Sequence, residues 1–459
     1  MKKTNTQSIL FRFTIFLLFF TTTFSIFHYT LATDEIEKIS SLPINPTSTR
    51  EKNYIEGEVL IKYKDKATAE KTLYSQNTLQ INDISVTDYI SEQNITKIKS
   101  QTKSTEELLQ EFSNDENVEI AEPNYLRTLT FTPNDPYFLP YQWAHYNTGQ
   151  DIFGTIGTID ADIDSAEMWD ITDSNSADTI VAVIDSGVDY NHVELSPNMW
   201  NGINCVDENN ATISGGCPNH GWDYADSDND PSDIDGHGTL VSSIIASTTN
   251  NSEGGTGTNR YGHTKIMAIR FSLDLFSELD AINFAKNNGA KVINASYGGS
   301  GYSQLEKDAI DAFPGVFVAA SGNGGTDGIG DDNDSFPLYP CNHTSSNLIC
   351  VAATDQNDNL ASFSNYGTTS VDIAAPGVNI FGIHTGSYVL GDGTSFATPF
   401  VSGVAAQLYS HDNSLPSSQI RDIIIANDDD KSSLSNSVLS GGRLNAYKSL
   451  NYFFTPPIR

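Results

Sequence analysis

Residues 179–189 read TIVAVIDSGVD. Thr179 to Ile184 is a β-branched, apolar run with no alternating polar position, and Asp185-Ser186-Gly187 ends it with turn residues. A strand that is apolar on both faces belongs inside a sheet covered on both sides. The pattern continues downstream. Helix-like Thr239 to Ala246 precedes strand-like Lys265 to Arg270, and Ser277 to Asn288 has helical spacing. Lys291 to Asn294, Gly315 to Ala320, Leu348 to Ala353 and Val371 to Ala374 read as further strands, before a helix over Thr394 to Leu408. This alternation predicts an α/β fold, with a mostly parallel sheet between layers of helices, over residues 137–455. No internal repeat is visible.

Upstream of residue 137 the character changes. Residues 53–128 read as a small α/β unit, with extended runs at Tyr54 to Tyr63 and Val118 to Leu126. Helical character falls at Ala67 to Leu73 and Thr105 to Phe112. Residues 129–136 include Thr132-Pro133-Asn134-Asp135-Pro136 and mark a boundary, while the polar residues 33–52 read as a linker. Residues 1–32 begin with Lys2 and Lys3, carry the short apolar core FTIFLLFF at 13–20 and end in Thr30-Leu31-Ala32. That is the layout of a secretory signal peptide, and the core is shorter than the ~20 residues of a membrane-spanning helix. The expected localisation is extracellular, with no stable membrane anchor.

The chain carries 58 acidic and 25 basic residues, a formal charge of −33, which argues against a nucleic-acid partner. Charge of this size keeps a secreted protein soluble and monomeric. With 38% hydrophobic and 18% charged residues the composition is globular rather than disordered. Four cysteines form two close pairs, Cys205 with Cys217 and Cys341 with Cys350, with neither CxxC spacing nor a histidine cluster. Local disulfides are the preferred reading and free thiols the alternative; zinc is disfavoured.

In such a sheet, functional groups gather at the carboxyl ends of strands and at adjacent helix starts. Asp185 follows strand TIVAVI, His237 sits in Asp235-Gly236-His237-Gly238-Thr239 before an apolar helix, and Ser395 sits in Gly393-Thr394-Ser395-Phe396-Ala397-Thr398-Pro399. Alone, each would be an ordinary turn or cap residue. Together, and in the order Asp, His, Ser, they form the set needed for nucleophilic acyl transfer.

The segments IDSGVD, DGHGT and GTSFATP resemble the three active-site motifs of the subtilisin family of serine proteases. The resemblance extends over about residues 137–450, through Ile293 to Gly298, Ala319 to Asn323, Ala375-Pro376-Gly377 and Gly441 to Asn445. It implies a subtilisin-like three-layer fold and a catalytic triad of Asp185, His237 and Ser395. It also implies that Asn323 stabilises the oxyanion, and that Ser296, Tyr297, Gly298 and Gly322 bind substrate as an extended strand. Residues 53–128 resemble the family's inhibitory pro-domain through YIEGEVLI at 54–61 and AEPNY at 121–125, implying a small ferredoxin-like α+β unit. Such a unit acts as an intramolecular inhibitor, with autocleavage expected between Arg127 and Asp135. Glu194 and Asn251 match positions that ligate a structural calcium in the family, with Glu where Asp is usual. Asp223 to Asp235 is a second candidate, and solvated acidic loops are the alternative for both. No cofactor is implied for catalysis.

The chain departs from the family pattern at Leu240, at Ser242-Ser243, at Phe396 and at Phe400, where repacking behind the triad is expected. Six Asn-x-Ser/Thr sites occur, at Asn94, Asn210, Asn250, Asn294, Asn333 and Asn342. The expected activity is broad-specificity endoproteolysis. The rivals are a processing protease with narrow dibasic specificity and a catalytically dead, peptide-binding relative.

Overall fold

The computed structural model describes residues 37–38, 54–68, 84–125, 131–384 and 386–454. The signal-peptide segment and most of the helix expected at Ala67 to Leu73 lie outside the described residues. The chain divides into two compact units, one of residues 43–130 and one that includes residues 131–459. No helix among the described residues is long and apolar enough to cross a membrane.

In the smaller unit, strands β1 (Tyr54–Tyr63), β2 (Ile84–Ile90) and β3 (Ile95–Ser100) are followed by helix α1 (Thr105–Ser113) and strand β4 (Val118–Tyr125). The sheet order is β2-β3-β1-β4 with every pair antiparallel, the order of a ferredoxin-like unit. Alternation puts Val59, Ile61 and Tyr63 of β1 on one face, where they meet Ile98 and the Leu108 and Phe112 face of α1. Ser104 starts α1 with a capping box: its hydroxyl accepts from Glu107 N, and the Glu107 carboxylate accepts from Ser104 N.

The larger unit is built from α2 (Ser165–Ile171), β5 (Thr179–Asp185), β6 (Gly221–Asp223), α3 (His237–Ala246) and β7 (Thr264–Arg270). Then come α4 (Leu275–Asn287), β8 (Val292–Ala295), α5 (Gln304–Ala312), β9 (Val316–Ala320), β10 (Leu348–Thr354) and β11 (Ile373–Pro376). A hairpin of β12 (Ile380–His384) and β13 (Ser387–Gly391) leads into α6 (Thr394–His411). The last elements are α7 (Ser417–Ala426), β14 (Asp429–Asp430), β15 (Gly442–Arg443) and α8 (Ala446–Asn451). Nine strands form one sheet in the order β14-β15-β11-β10-β9-β8-β5-β7-β6, parallel except for the β14–β15 pair.

Successive residues of each central strand face opposite layers, so both must be apolar. Ala182, Ile184, Met267, Ile269, Ile293 and Phe317 meet Ala281, Ile282, Phe284 and Ala285 of α4 and Ile310 of α5. On the other face α6 crosses β8 to β11 and packs against α3. Fully burying each Ile or Phe contributes roughly 1.5–3 kcal/mol, which is why the runs tolerate no polar interruption beyond Asn294. Both expected disulfides are formed, Cys205–Cys217 and Cys341–Cys350. Near the end of the chain, Arg443 is fully buried and bridges Asp358 at 2.5 Å and Asp429 at 2.6 Å. Its guanidinium also reaches the Asp160 carbonyl, and Asn445 bonds Asp164 at 2.7 Å.

Candidate active site

Asp185 is the last residue of β5 and His237 the first of α3, which brings both to the carboxyl edge of the sheet. His237 Nδ1 lies 2.8 Å from Asp185 Oδ1, the oxygen that also accepts from Ser186 N at 2.7 Å. With Nδ1 donating to that carboxylate, Nε2 is left as the acceptor. Burial opposes charging of His237, but Asp185, with help from Asp235 and Asp233, outweighs it and raises the imidazole pKa. Gly238 permits the close approach: a β-carbon there would sit 2.1 Å from the Gly187 carbonyl.

Asp233 organises both turns, a role the sequence did not reveal beyond the acidic run Asp223 to Asp235. Its Oδ1 accepts from Ser186 Oγ at 2.9 Å and from Gly236 N at 2.8 Å, while Oδ2 accepts from Thr239 N at 2.9 Å. Asp223 and Asp226 in the same run each hold Arg270 at 2.5 Å.

Ser395 is the second residue of α6, so its N–H lies in the first turn, where no carbonyl four residues back is available. Pro399 stands inside the same helix and lacks the N–H that would bond the Ser395 carbonyl. Ser296 takes over, donating from Oγ to that carbonyl at 2.8 Å. The relay continues inward, with Asn294 Nδ2 donating to Ser296 Oγ at 2.9 Å and Ser402 Oγ to Asn294 Oδ1 at 2.8 Å. Ser395 Oγ in turn donates to the Ser296 carbonyl at 3.1 Å. Asn323, three residues past β9, accepts on Oδ1 from both Thr394 N and Thr394 Oγ1 at 2.8 Å. That fixes the amide plane and leaves its Nδ2 donors on the exposed side near Gly393.

Ser296 is buried, so its hydroxyl serves the helix rather than the surface. Tyr297 packs its ring on Phe271, 4.7 Å between centroids, and donates to Glu278 at 3.0 Å. Glu278 is buried beside Glu306, which accepts from His343 at 2.5 Å. Burial first, and then the neighbouring Glu306, push the Glu278 carboxyl up to about 8. The departures from the family pattern are absorbed by packing. Leu240 is fully buried, Ser243 accepts from Ile383 N, and the Phe396 ring lies 5.6 Å from that of His237.

Residues 176–441 match the Subtilase family, and residues 43–124 match the fervidolysin N-terminal prodomain. The chain belongs to the subtilase family. It is 34% identical to a thermophilic serine proteinase of Bacillus sp. (strain AK1), over 87% of this chain and 88% of that protein. It is 36% identical to thermitase of Thermoactinomyces vulgaris, over 70% of this chain and 100% of thermitase. Among solved structures, a protease of Pseudoalteromonas arctica aligns at 25% identity and a TM-score of 0.52, covering 70% of this chain and 99% of that one. Fervidolysin of Fervidobacterium pennivorans shares the fold at a TM-score of 0.51 and 22% identity, over 90% of this chain and 63% of that one. This subtilase is therefore a serine protease with an N-terminal prodomain.

Around the expected calcium position, Glu194 is fully buried and its Oε2 has no hydrogen-bond partner. Asn251 Nδ2 donates to Glu194 Oε1 at 2.9 Å, and Asp135, read from the sequence only as part of the boundary segment, accepts from Asn250 N and Asn251 N. Burial, with Asp135 and Glu253 adding, raises the Glu194 carboxyl to about 8. Of the six Asn-x-Ser/Thr sites, Asn294 and Asn333 are fully buried and hydrogen-bonded inside the subtilase domain, so neither can accept a glycan in the folded protein.

Proposed function

We propose that this subtilase is a secreted endopeptidase of broad specificity that hydrolyses peptide bonds through Asp185, His237 and Ser395. The observation that supports this most is the Asp185–His237 hydrogen bond at the sheet edge, with Ser395 at the start of α6. In this reading the Ser395 hydroxyl leaves the Ser296 carbonyl, gives its proton to His237 Nε2 and attacks the substrate carbonyl carbon. The oxyanion receives hydrogen bonds from Asn323 Nδ2 and Ser395 N. His237 then protonates the departing amine, and water resolves the acyl-enzyme by the same route.

Residues 53–128 act as the intramolecular inhibitor, and the enzyme removes them by cutting itself between Arg127 and Asp135. The mature protease is a monomer with no membrane anchor. A structural calcium fits beside Glu194, Asn251 and Asp135, because a buried carboxylate oxygen without a donor is what a hard cation needs. Asn251 would present its amide oxygen after a flip of the carboxamide. Bound there, the ion would stabilise the fold and take no part in catalysis.

Intact mass and casein digestion of secreted wild type beside Ser395→Ala test the reading. A trimmed, active wild type and an untrimmed, inert mutant are expected. Release of the same mature N-terminus from Ser395→Ala would assign processing to another protease.

A further inference from the structure

The β12–β13 hairpin is a two-stranded ribbon, and its two edges are treated differently. β12 backs onto α3: Ile383 N donates to Ser243 Oγ at 3.0 Å, and a β-carbon on Gly382 would sit 2.9 Å from Leu240 Cγ. β13 is the outer strand. It is held by Tyr388, whose ring lies 5.1 Å from that of Tyr137 and 5.6 Å from that of Phe381. Its backbone edge turns away from β12 and is a row of N–H and C=O groups to which an extended chain can add. In this structure a chain does add. Glu37–Lys38 forms a two-residue strand antiparallel to β13, with Glu37 opposite Leu390 and Lys38 opposite Val389. The ribbon thereby becomes a three-stranded sheet with β13 in the middle. Glu37 and Lys38 precede the prodomain match at residues 43–124, yet they group with the compact unit that holds the subtilase domain. β13 in turn leads through Asp392 and Gly393 into α6 and Ser395, and Gly393 N is fixed on the Gly377 carbonyl at 2.8 Å.

We infer that Glu37-Lys38 is a latch: paired with the edge of β13, it keeps the pro-piece on the protease after the chain is cut between Arg127 and Asp135. The inference rests on the reading of residues 53–128 as the intramolecular inhibitor. Once that cut is made, the inhibitor is no longer covalently joined to the subtilase domain. The strand pairing is a second attachment on the same piece of chain, so a prodomain that lets go is still tethered and rebinds at a high effective concentration. The attachment uses backbone groups, and its strength is set by the N–H and C=O ladder more than by the Glu37 and Lys38 side chains. A two-residue ladder is weak, which places its effect at about tenfold, below the range that strong bivalent contacts reach. Latency therefore outlasts the first cut and ends when the latch strand is lost.

The test uses the full-length chain and two double variants, Glu37→Pro with Lys38→Pro and Glu37→Ala with Lys38→Ala. Of two consecutive residues in a ladder only one turns its N–H to the partner, so the proline pair removes that donor whichever it is. The alanine pair keeps it. Hydrogen exchange of Ser387 to Gly391, measured in the Ser395→Ala background, reads the docking. The proline pair should exchange about tenfold or more faster than the parent, and the alanine pair within about twofold of it. With Ser395 in place, the lag between appearance of the cut chain by intact mass and onset of casein digestion reads retention. The proline pair should shorten that lag about tenfold, and the alanine pair should leave it within about twofold. Equal exchange in the parent and the proline pair overturns the docking. Faster exchange with an unchanged lag, or a wild type with no lag, overturns the latch. A wild type that is neither cut nor active sinks the protease and inhibitor reading, and the latch with it, while the exchange result still judges the strand pairing by itself.

Discussion

Ser296→Ala probes the relay beneath the nucleophile. The change deletes the bond from Ser296 Oγ to the Ser395 carbonyl and the one that Oγ accepts from Asn294. Asn294 is fully buried, so its orphaned N–H costs ~1–3 kcal/mol, and the partly exposed carbonyl adds ~1 kcal/mol. A total of ~2–4 kcal/mol corresponds to a Tm lower by roughly 4–8 °C, at about 2 °C per kcal/mol for a domain of this size. Because Pro399 offers that carbonyl no helical donor, the first turn of α6 loses its internal tether. If ~1.4 kcal/mol of the loss falls on the position of Ser395, kcat drops about tenfold. Ser402→Ala is the control: it removes one bond, a step further from the nucleophile, and should leave kcat within about twofold while lowering Tm by roughly half as much. Calorimetry and active-site-titrated turnover read both quantities. Wild-type kcat and Tm in Ser296→Ala would refute the reasoning, as would equal losses of kcat in the two variants.

The raised Glu278 carboxyl makes stability depend on pH: the folded form keeps a proton that the unfolded chain releases near pH 4.5, so this contribution is whole below that pH and is lost as pH rises through about 8. Glu278→Gln should therefore flatten the fall of Tm between pH 6 and 9, and a Tm difference from wild type that stays constant across that range would contradict this. Chelation by EDTA at pH 8 should lower the Tm of wild type but leave Glu194→Ala, already destabilised, unmoved; equal Tm of wild type with and without chelator would dismiss the ion.

The central strands were readable because burial on both faces writes itself into consecutive residues, as in Thr179 to Ile184 and Val316 to Ala320. Boundaries shifted by one to three residues, and α6 ran on to His411 past the expected Leu408. The three-residue strand β6 and the β12–β13 hairpin gave no such signal, since their pairing is decided by neighbours distant in the chain. Asp185, His237 and Ser395, the proposed triad, stood out by motif. Their supports did not: Asp233 works through the geometry of two turns, and Ser296 reaches a carbonyl 99 residues away. Asn294 shows the opposite failure, since a local Asn-x-Ser pattern carries no information about a strand buried in the middle of a sheet.

The buried Arg443 has a consequence for when the protease can come into being. Its partners Asp160 and Asp358 precede it in the chain, by 283 residues in the case of Asp160. Until Arg443 arrives, Asp358 and Asp429 share only the partly exposed Lys431, and the sheet lacks its penultimate strand. Contacts of such long sequence separation form late, because the closure entropy must be met before they are gained. A chain synthesised only as far as Ser440 therefore cannot finish this sheet. Completion of the nine-stranded sheet is thereby tied to residues that follow Ser395 in the chain.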